Sequence, residues 1–254
     1  KKYEGALKMS ALMQDPARDP HGVFTQLNFD AFSESYPLVP YHVPLMIDIF
    51  GVLRSRGPAG RPIPELTGRE RAILAVARYA LLDLIEKGED VGALVTFDRV
   101  YDAISEELKA VRSEYQALIS EITKAGEIEG MKLEPVAKAL FLLQQVGEVI
   151  SSTTHNVAAI LYPSLGVDQK EHEERVRACL EELVKKNWTT EEEGKYRFLS
   201  EVERTFEQDI DKQTVRARNK EVLAFEIAKE GLKAIRKYNY EGRAFDVHMW
   251  IDDQ

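Results

Sequence analysis

From Asp168 to Leu199 the chain reads DQKEHEERVRACLEELVKKNWTTEEEGKYRFL, and the hydrophobic period of this stretch changes once. Its first part places Val176, Cys179, Leu180 and Leu183 three and four residues apart, the spacing of one helix face. Asp168 stands three residues before Glu171, the pairing of cap and carboxylate that satisfies exposed amides at a helix start. Beyond Asn187 come Trp188-Thr-Thr and Lys195-Tyr-Arg-Phe-Leu199, β-prone runs on either side of the turn Glu191 to Gly194. Upstream, apolar segments from Leu133 to Val149 and from Thr153 to Leu161 predict two more helices. Three helices and then a two-stranded hairpin is winged-helix order, so residues 131–200 are expected to form such a domain.

The same signals extend outward in both directions. Thr67 with Glu70 marks another helix start, and the segment to Ile85 is apolar nearly all round (Ile73, Leu74, Val76, Leu81, Leu82, Leu84), which predicts a helix buried inside a bundle. Pro44 can open a helix carrying Leu45, Met46, Ile49, Phe50 and Leu53, ended by the loop Gly57 to Pro64. Tyr3 to Gln14 reads as a short helix docked from outside, cut off by the break from Asp15 to Gly22. From Phe97 to about Ile128 apolar residues at helical spacing predict one long amphipathic helix bridging two halves. On the other side, Ser200 with Glu203 starts a long charged helix to about Tyr238, followed by a terminal strand from Arg243 to Ile251. The expected fold is therefore mainly α: a helical bundle over 1–130, a winged-helix-like domain with a small β-wing over 131–200, and a long helix with a strand over 201–254.

Composition narrows the class. In 254 residues, 44% hydrophobic and 30% charged side chains suit a soluble globular protein, and no run of about 18 apolar residues is present to span a bilayer. The opening Lys1-Lys2-Tyr3 carries no secretory pattern and reads as the start of a piece of a longer polypeptide, so a cytoplasmic location is expected. Cys179, the single cysteine, cannot form an internal disulfide and sits where a small apolar residue would pack. A net charge of -9 argues against a surface that adheres to nucleic acid by neutralising phosphates, though it leaves room for a local basic patch. No Gly-x-x-x-x-Gly-Lys-Ser/Thr occurs, so nothing in the chain cradles a triphosphate as a P-loop does.

Phe29-x-x-Phe32, Tyr36-Pro-Leu-Val-Pro-Tyr41, Leu53-Arg54 and Thr67-Gly-Arg-Glu-Arg-Ala-Ile-Leu74 resemble the segment just downstream of the ATPase core in the large P-loop proteins of BREX antiphage systems. Val176 to Leu199, Glu203 and the terminal Gly242 to Val247 also look like that family's region beyond the ATPase. The resemblance implies a full-length protein that hydrolyses ATP with Mg through a AAA-like core and helps its host resist phage DNA. The cofactors belong to that core and none is expected in this chain. Its partners would be the rest of the parent ATPase, other defence-system proteins and, for the full-length protein, DNA. The segment would be a helical lid, in which Arg69 or Arg71 could reach nucleotide phosphates as a sensing arginine. The competing account is that both arginines pair only with Glu65, Glu70 or solvent.

Other candidates are weaker. His172 stands among Glu171, Glu173 and Glu174 without a second histidine at helical spacing, which predicts a solvated helix start rather than a metal site. No nucleophile motif accompanies the dispersed His21, His42, His155 and His248, and no catalytic residue is assigned. For a recognition helix, Asp168 to Asn187 is poorly composed, because its lysines and arginines are matched by glutamates. Arg175, Lys195 and Arg197 are the positions that would contact DNA if any do. The basic residues from Lys212 to Lys237 are interleaved with acids and read as a salt-bridged, solvated helix. Two rival readings stay open: a stand-alone winged-helix DNA-binding regulator with a helical ligand or dimerisation domain, and a small enzyme using carboxylates.

Overall fold

The computed structural model describes residues 23–24, 29–55, 69–111, 113–212, 222, 225–227, 237–240 and 242–246. The chain is mainly helical, with α1 (Phe29–Ser35), α2 (His42–Ser55), α3 (Arg69–Glu86), α4 (Phe97–Ala103), α5 (Ser105–Val111) and α6 (Ser113–Ala125) in its first half. A short hairpin, β1 (Glu127–Ile128) and β2 (Met131–Lys132), leads into α7 (Leu133–Gln144), α8 (Thr154–Ile160) and α9 (Gln169–Lys185). The hairpin β3 (Thr189–Glu192) and β4 (Lys195–Phe198), the helix α10 (Glu201–Lys212) and the hairpin β5 (Lys237–Tyr240) and β6 (Arg243–Asp246) follow. Two compact units result, Lys1–Arg204 and Thr205–Gln254. Among the described residues no helix is long and apolar enough to cross a membrane.

The centre of the first unit is α7. Leu133, Val136, Ala137, Ala139, Leu140, Phe141, Leu142 and Leu143 are all buried, because α4, α6, α9 and β4 pack around this helix. Its one buried cation, Lys138, reaches Asp102 of α4 at 2.6 Å and also Glu134, and lies 5.8 Å from the Tyr101 ring centroid. Burial alone would lower the Lys138 pKa, but the hydrogen bonds and charges of the two carboxylates raise it.

A helix buried inside a bundle was expected for α3, and the structure corrects this. Only Val76, Ala80 and Leu84 of that helix are fully buried, against α2 and α4, while Leu74, Tyr79, Leu81, Leu82 and Ile85 face outward. An all-round apolar pattern is the same for a helix covered on every side and for one covered on one side only. The cap residue Thr67 and the side chain of Glu70 lie outside the described residues, as do the Tyr3 to Gln14 helix and the Gly57 to Pro64 loop.

The single long helix from Phe97 to Ile128 is also corrected: it breaks at Ile104, and Ile128 belongs to β1. At Ile104 the backbone leaves helical geometry (φ -115, ψ 15) without any glycine or proline, and the turn keeps Val100, Ile104, Leu108, Leu118, Ile119 and Ile122 in the core. The β1–β2 hairpin had no strand signal beyond Gly130. Glu129 and Gly130 form its two-residue turn, both with positive φ (52° and 76°), the geometry whose twist matches a hairpin. The helix expected from Leu133 to Val149 stops at Gln144.

The expected starts of α8, α9 and α10 and the β3–β4 hairpin hold. Thr153 caps α8 through its side chain, and the Asp168 carboxylate accepts the Glu171 N–H at 3.0 Å to open α9. Ser200 and Glu203 exchange hydrogen bonds at the start of α10. β3 and β4 pair antiparallel from Thr189↔Phe198 to Glu192↔Lys195, closed by Glu193 and Gly194. Ser152 C=O accepts the Tyr196 N–H at 2.9 Å and Gln144 Oε1 accepts the Phe198 N–H at 3.0 Å, which stitches β4 to the ends of the connection between α7 and α8. The helix expected to run to Tyr238 is described as far as Lys212, and Lys237 and Tyr238 belong to β5 instead. The terminal strand is thus half of a hairpin with the register Tyr240↔Arg243. The basic residues between Lys212 and Lys237 lie outside the described side chains.

Candidate functional site

The residues Gly92 to Thr96 connect three parts of the first unit. On one side the Tyr36 hydroxyl accepts the Gly92 N–H at 2.8 Å, and the Pro37 carbonyl accepts the Val95 N–H at 3.1 Å. On the other side Leu94 N–H donates to Pro163 C=O at 2.8 Å, Leu165 N–H donates to Gly92 C=O at 2.9 Å, and Ala93 bridges Ser164. The Tyr36 to Tyr41 motif is therefore one edge of a small backbone ladder that joins α1 and α2 to the turn between α8 and α9.

Below the ladder the motif enters an aromatic cluster. Val39, Tyr41 and His42 are buried, with the His42 ring edge-on to Tyr41 (4.9 Å) and to Phe97 (5.0 Å). His42 Nδ1 accepts the Val39 N–H at 3.3 Å, which begins α2, while His42 Nε2 and the Tyr41 hydroxyl meet no polar partner among the described residues. Burial lowers the His42 pKa to about 3 and pushes the Tyr41 phenol far up, so both are neutral at neutral pH.

Arg99, buried at the start of α4, ties the ladder to the far end of α3. Its Nε donates to Asp83 at 2.6 Å, one Nη to Glu89 at 3.1 Å, and the other to Leu94 C=O and Thr96 Oγ1, each at 3.3 Å. Burial raises the Asp83 pKa, but the hydrogen bonds and charges of Lys87 and Arg99 outweigh it and leave the carboxyl below its ordinary value. Sequence reading missed Arg99 altogether. Its signal was a lone arginine two residues after Phe97 in a segment otherwise apolar toward the core.

Among the described residues, no hydrogen bond or ion pair joins the two motifs that carried the family resemblance. Arg71 is exposed in the first turn of α3, whereas Tyr36 binds Gly92, six residues beyond its last turn. From Arg71 to Glu86 the helix axis covers about 22 Å at 1.5 Å per residue. Arg69 is the first residue of α3, and its side chain lies outside the described residues.

The candidate DNA contacts are dispersed, and the two arginines are matched by acids. Arg175 pairs with Glu171 on α9 and lines a small cavity of about 280 Å³ with Thr96, Asp98, Pro163 and His172. Arg197 on β4 bonds Glu192 at 3.2 Å and Glu203 at 3.0 Å, and Lys195 sits half-buried at the start of that strand. The other cations of α9 and its C-cap Lys186 are paired as well, Lys170 with Glu174, Arg177 with Glu173, and Lys185 and Lys186 with Glu182.

His172 is a correction. It is buried rather than solvated, with Nε2 3.0 Å from Ala158 C=O and its ring edge-on to Tyr162, because it shares the inner face of α9 with Val176, Cys179 and Leu183. Cys179 is buried too, and burial with the nearby Glu129 pushes its thiol up to about 11. A groove of about 680 Å³ at the start of α9 holds Asp168, Glu173 and Glu174. Each acid is engaged: Asp168 caps the helix, Glu173 contacts His155 and Arg177, and Glu174 contacts Lys170. Convergent acids poised for catalysis are not what this groove offers. No family model matches the chain, and no solved structure matches it at a significant level.

Proposed function

We propose that this chain is a non-catalytic coupling module of an ATP-driven phage-defence protein of the BREX ATPase type, relaying the state of a nucleotide core to partner proteins. The observation that carries this reading is the ladder at Gly92 to Thr96. One five-residue segment is bonded to the Tyr36-Pro37 motif, to the turn between α8 and α9 and, through Arg99, to the end of α3. A displacement of α3 therefore has a direct mechanical path to the helix and hairpin region from α7 to β4, the winged-helix-like part of the reading. On this reading ATP and Mg belong to the parent's core, and the protein works in the cytoplasm. Arg71, or Arg69 in the same turn, approaches the phosphates, a role suited to the fixed fork of a guanidinium. The winged-helix-like part meets other domains or defence-system proteins, and any contact with DNA is made by the full-length protein.

ATP hydrolysis by the full-length parent tests the core of this reading. Arg71→Ala or Arg69→Ala is expected to lower turnover by about 10²-fold, the typical loss when one charge-stabilising donor is removed. Unchanged turnover in both variants, or a parent without a P-loop, overturns it. The rival regulator is separated by anisotropy with labelled duplex DNA. With the cations of α9 already paired to glutamates, the 254-residue chain is expected to show no tight sequence-selective binding. Tight binding with a steep salt dependence favours the rival.

A further inference from the structure

We infer that the outward face of α3 is a self-association surface, taking a second copy of this chain in antiparallel orientation with Leu82 on the two-fold axis. The inference goes beyond the coupling role and does not depend on it. Tyr79, Leu82 and Ile85 lie on one side of the helix, and Leu82 and Ile85 are 43% and 74% exposed. Single exposed apolar residues need no explanation, but a continuous apolar stripe over the last turns of a helix does.

The charges on this stripe select the occupant. Arg78 has Leu74, Ala75, Leu81 and Leu82 at the positions three and four residues away, so its own helix supplies no carboxylate. Glu86 has Leu82, Asp83, Glu89 and Asp90 at those positions, so its helix supplies no cation. The ion pairs described at this end are Lys87 with Asp83 and Arg99 with Asp83 and Glu89, and none uses Arg78 or Glu86. Arg78 and Glu86 are equally spaced on either side of Leu82. An antiparallel copy centred there places Leu82 against Leu82, Tyr79 against Ile85, and each Arg78 against Glu86 of the second copy. A two-fold contact must be complementary to itself, and this face is. Arg71 lies beyond the overlap of the two paired helices.

One helix pair covers less than the ~800 Å² per partner of a tight complex, so reversible association in the micromolar range is expected. The test is sedimentation equilibrium of the 254-residue chain, with Arg78→Glu, Glu86→Arg and the double exchange. Each single reversal is expected to weaken the dimer at least about tenfold, and the double exchange to restore it. Mild oxidation of Leu82→Cys is expected to trap a disulfide dimer, and that of Leu74→Cys is not, because in this register the two copies of position 74 stand about 24 Å apart along the helix axes. The native Cys179 is buried and does not compete. A monomer at every concentration overturns the inference, whatever else covers the face. So does a double exchange that fails to restore association, or equal cross-linking at positions 74 and 82.

Discussion

Replacing Arg99 by methionine keeps most of the side-chain volume and removes every hydrogen bond that holds the ladder to α3. The guanidinium is buried, so its removal resembles breaking a buried ion pair, which costs about 3–5 kcal/mol when the remaining charge is stranded. Here the stranding is partial. Glu89 is 42% exposed and rehydrates, and Asp83, at 19%, keeps Lys87 at 2.8 Å. What remains uncompensated is the desolvation of Asp83 and the loss of donors to Leu94 C=O and Thr96, so the cost is set at roughly 2–3 kcal/mol. For a chain of this size that is a fall in Tm of about 5–10 °C. Urea unfolding followed by far-UV circular dichroism measures it, and the slope with denaturant should not change. If Arg99→Met unfolds within about 0.5 kcal/mol of the unmodified chain, Arg99 is not the tie between α3 and α4 and the mechanical path fails.

Three further outcomes follow from the same region and from the β3–β4 hairpin. His42 is held neutral, with its pKa lowered to about 3 by burial, while the unfolded chain binds a proton near the ordinary value of 6.5. Between those values the unfolded state carries more protons, so stability is level above about pH 6.5 and falls as the pH drops toward 3, by at most a few kcal/mol from this group. His42→Asn, which retains an acceptor for the Val39 N–H, should flatten that acid limb in unfolding measured against pH. Tyr36→Phe deletes the acceptor for Gly92 N–H and should cost about 1 kcal/mol in the same urea assay. Glu193, held at φ 54° in the β3–β4 turn, is a residue type that resists the left-handed region. Glu193→Asn should therefore stabilise the chain by about 0.5–1 kcal/mol, and a loss would refute the turn assignment.

Helix starts were the most legible part of the fold, since a cap oxygen and its amide are neighbours in sequence. Asp168, Thr153 and Ser200 each bond an amide within three residues, and reading along the chain finds such pairs. The β3–β4 hairpin was legible for a similar reason, because its strands alternate and its turn carries a glycine. Burial was legible only in part. α3 and α7 have comparable apolar runs, yet α7 has neighbours on every side and α3 on one, and that difference lies in residues distant in sequence. The break at Ile104 is of the same kind, imposed by packing on a segment without a breaker. Of the site, Tyr36 to Tyr41 was found as a motif, but its bonds to Gly92 and Val95 span more than fifty residues and leave no local pattern.

The separation of Arg71 from that ladder constrains any relay. A signal received at the first turn of α3 has about 22 Å of helix to cross, and a hydrogen-bonded helix is stiff along its axis. The far end of α3 is held through Asp83 and Glu89 to Arg99, not by the apolar stripe that faces outward. Val76, Ala80 and Leu84 give it a narrow inner seam against α2 and α4, over which small side chains permit sliding or rotation more readily than bulky ones would. A rotation of α3 about that seam would swing Asp83 against Arg99 and pull on Leu94, whose N–H holds Pro163. The same rotation would turn Arg78 and Glu86 relative to a second copy. If the coupling role and the α3 pairing are both correct, they are therefore linked, and dimer strength should change with the nucleotide state of the parent.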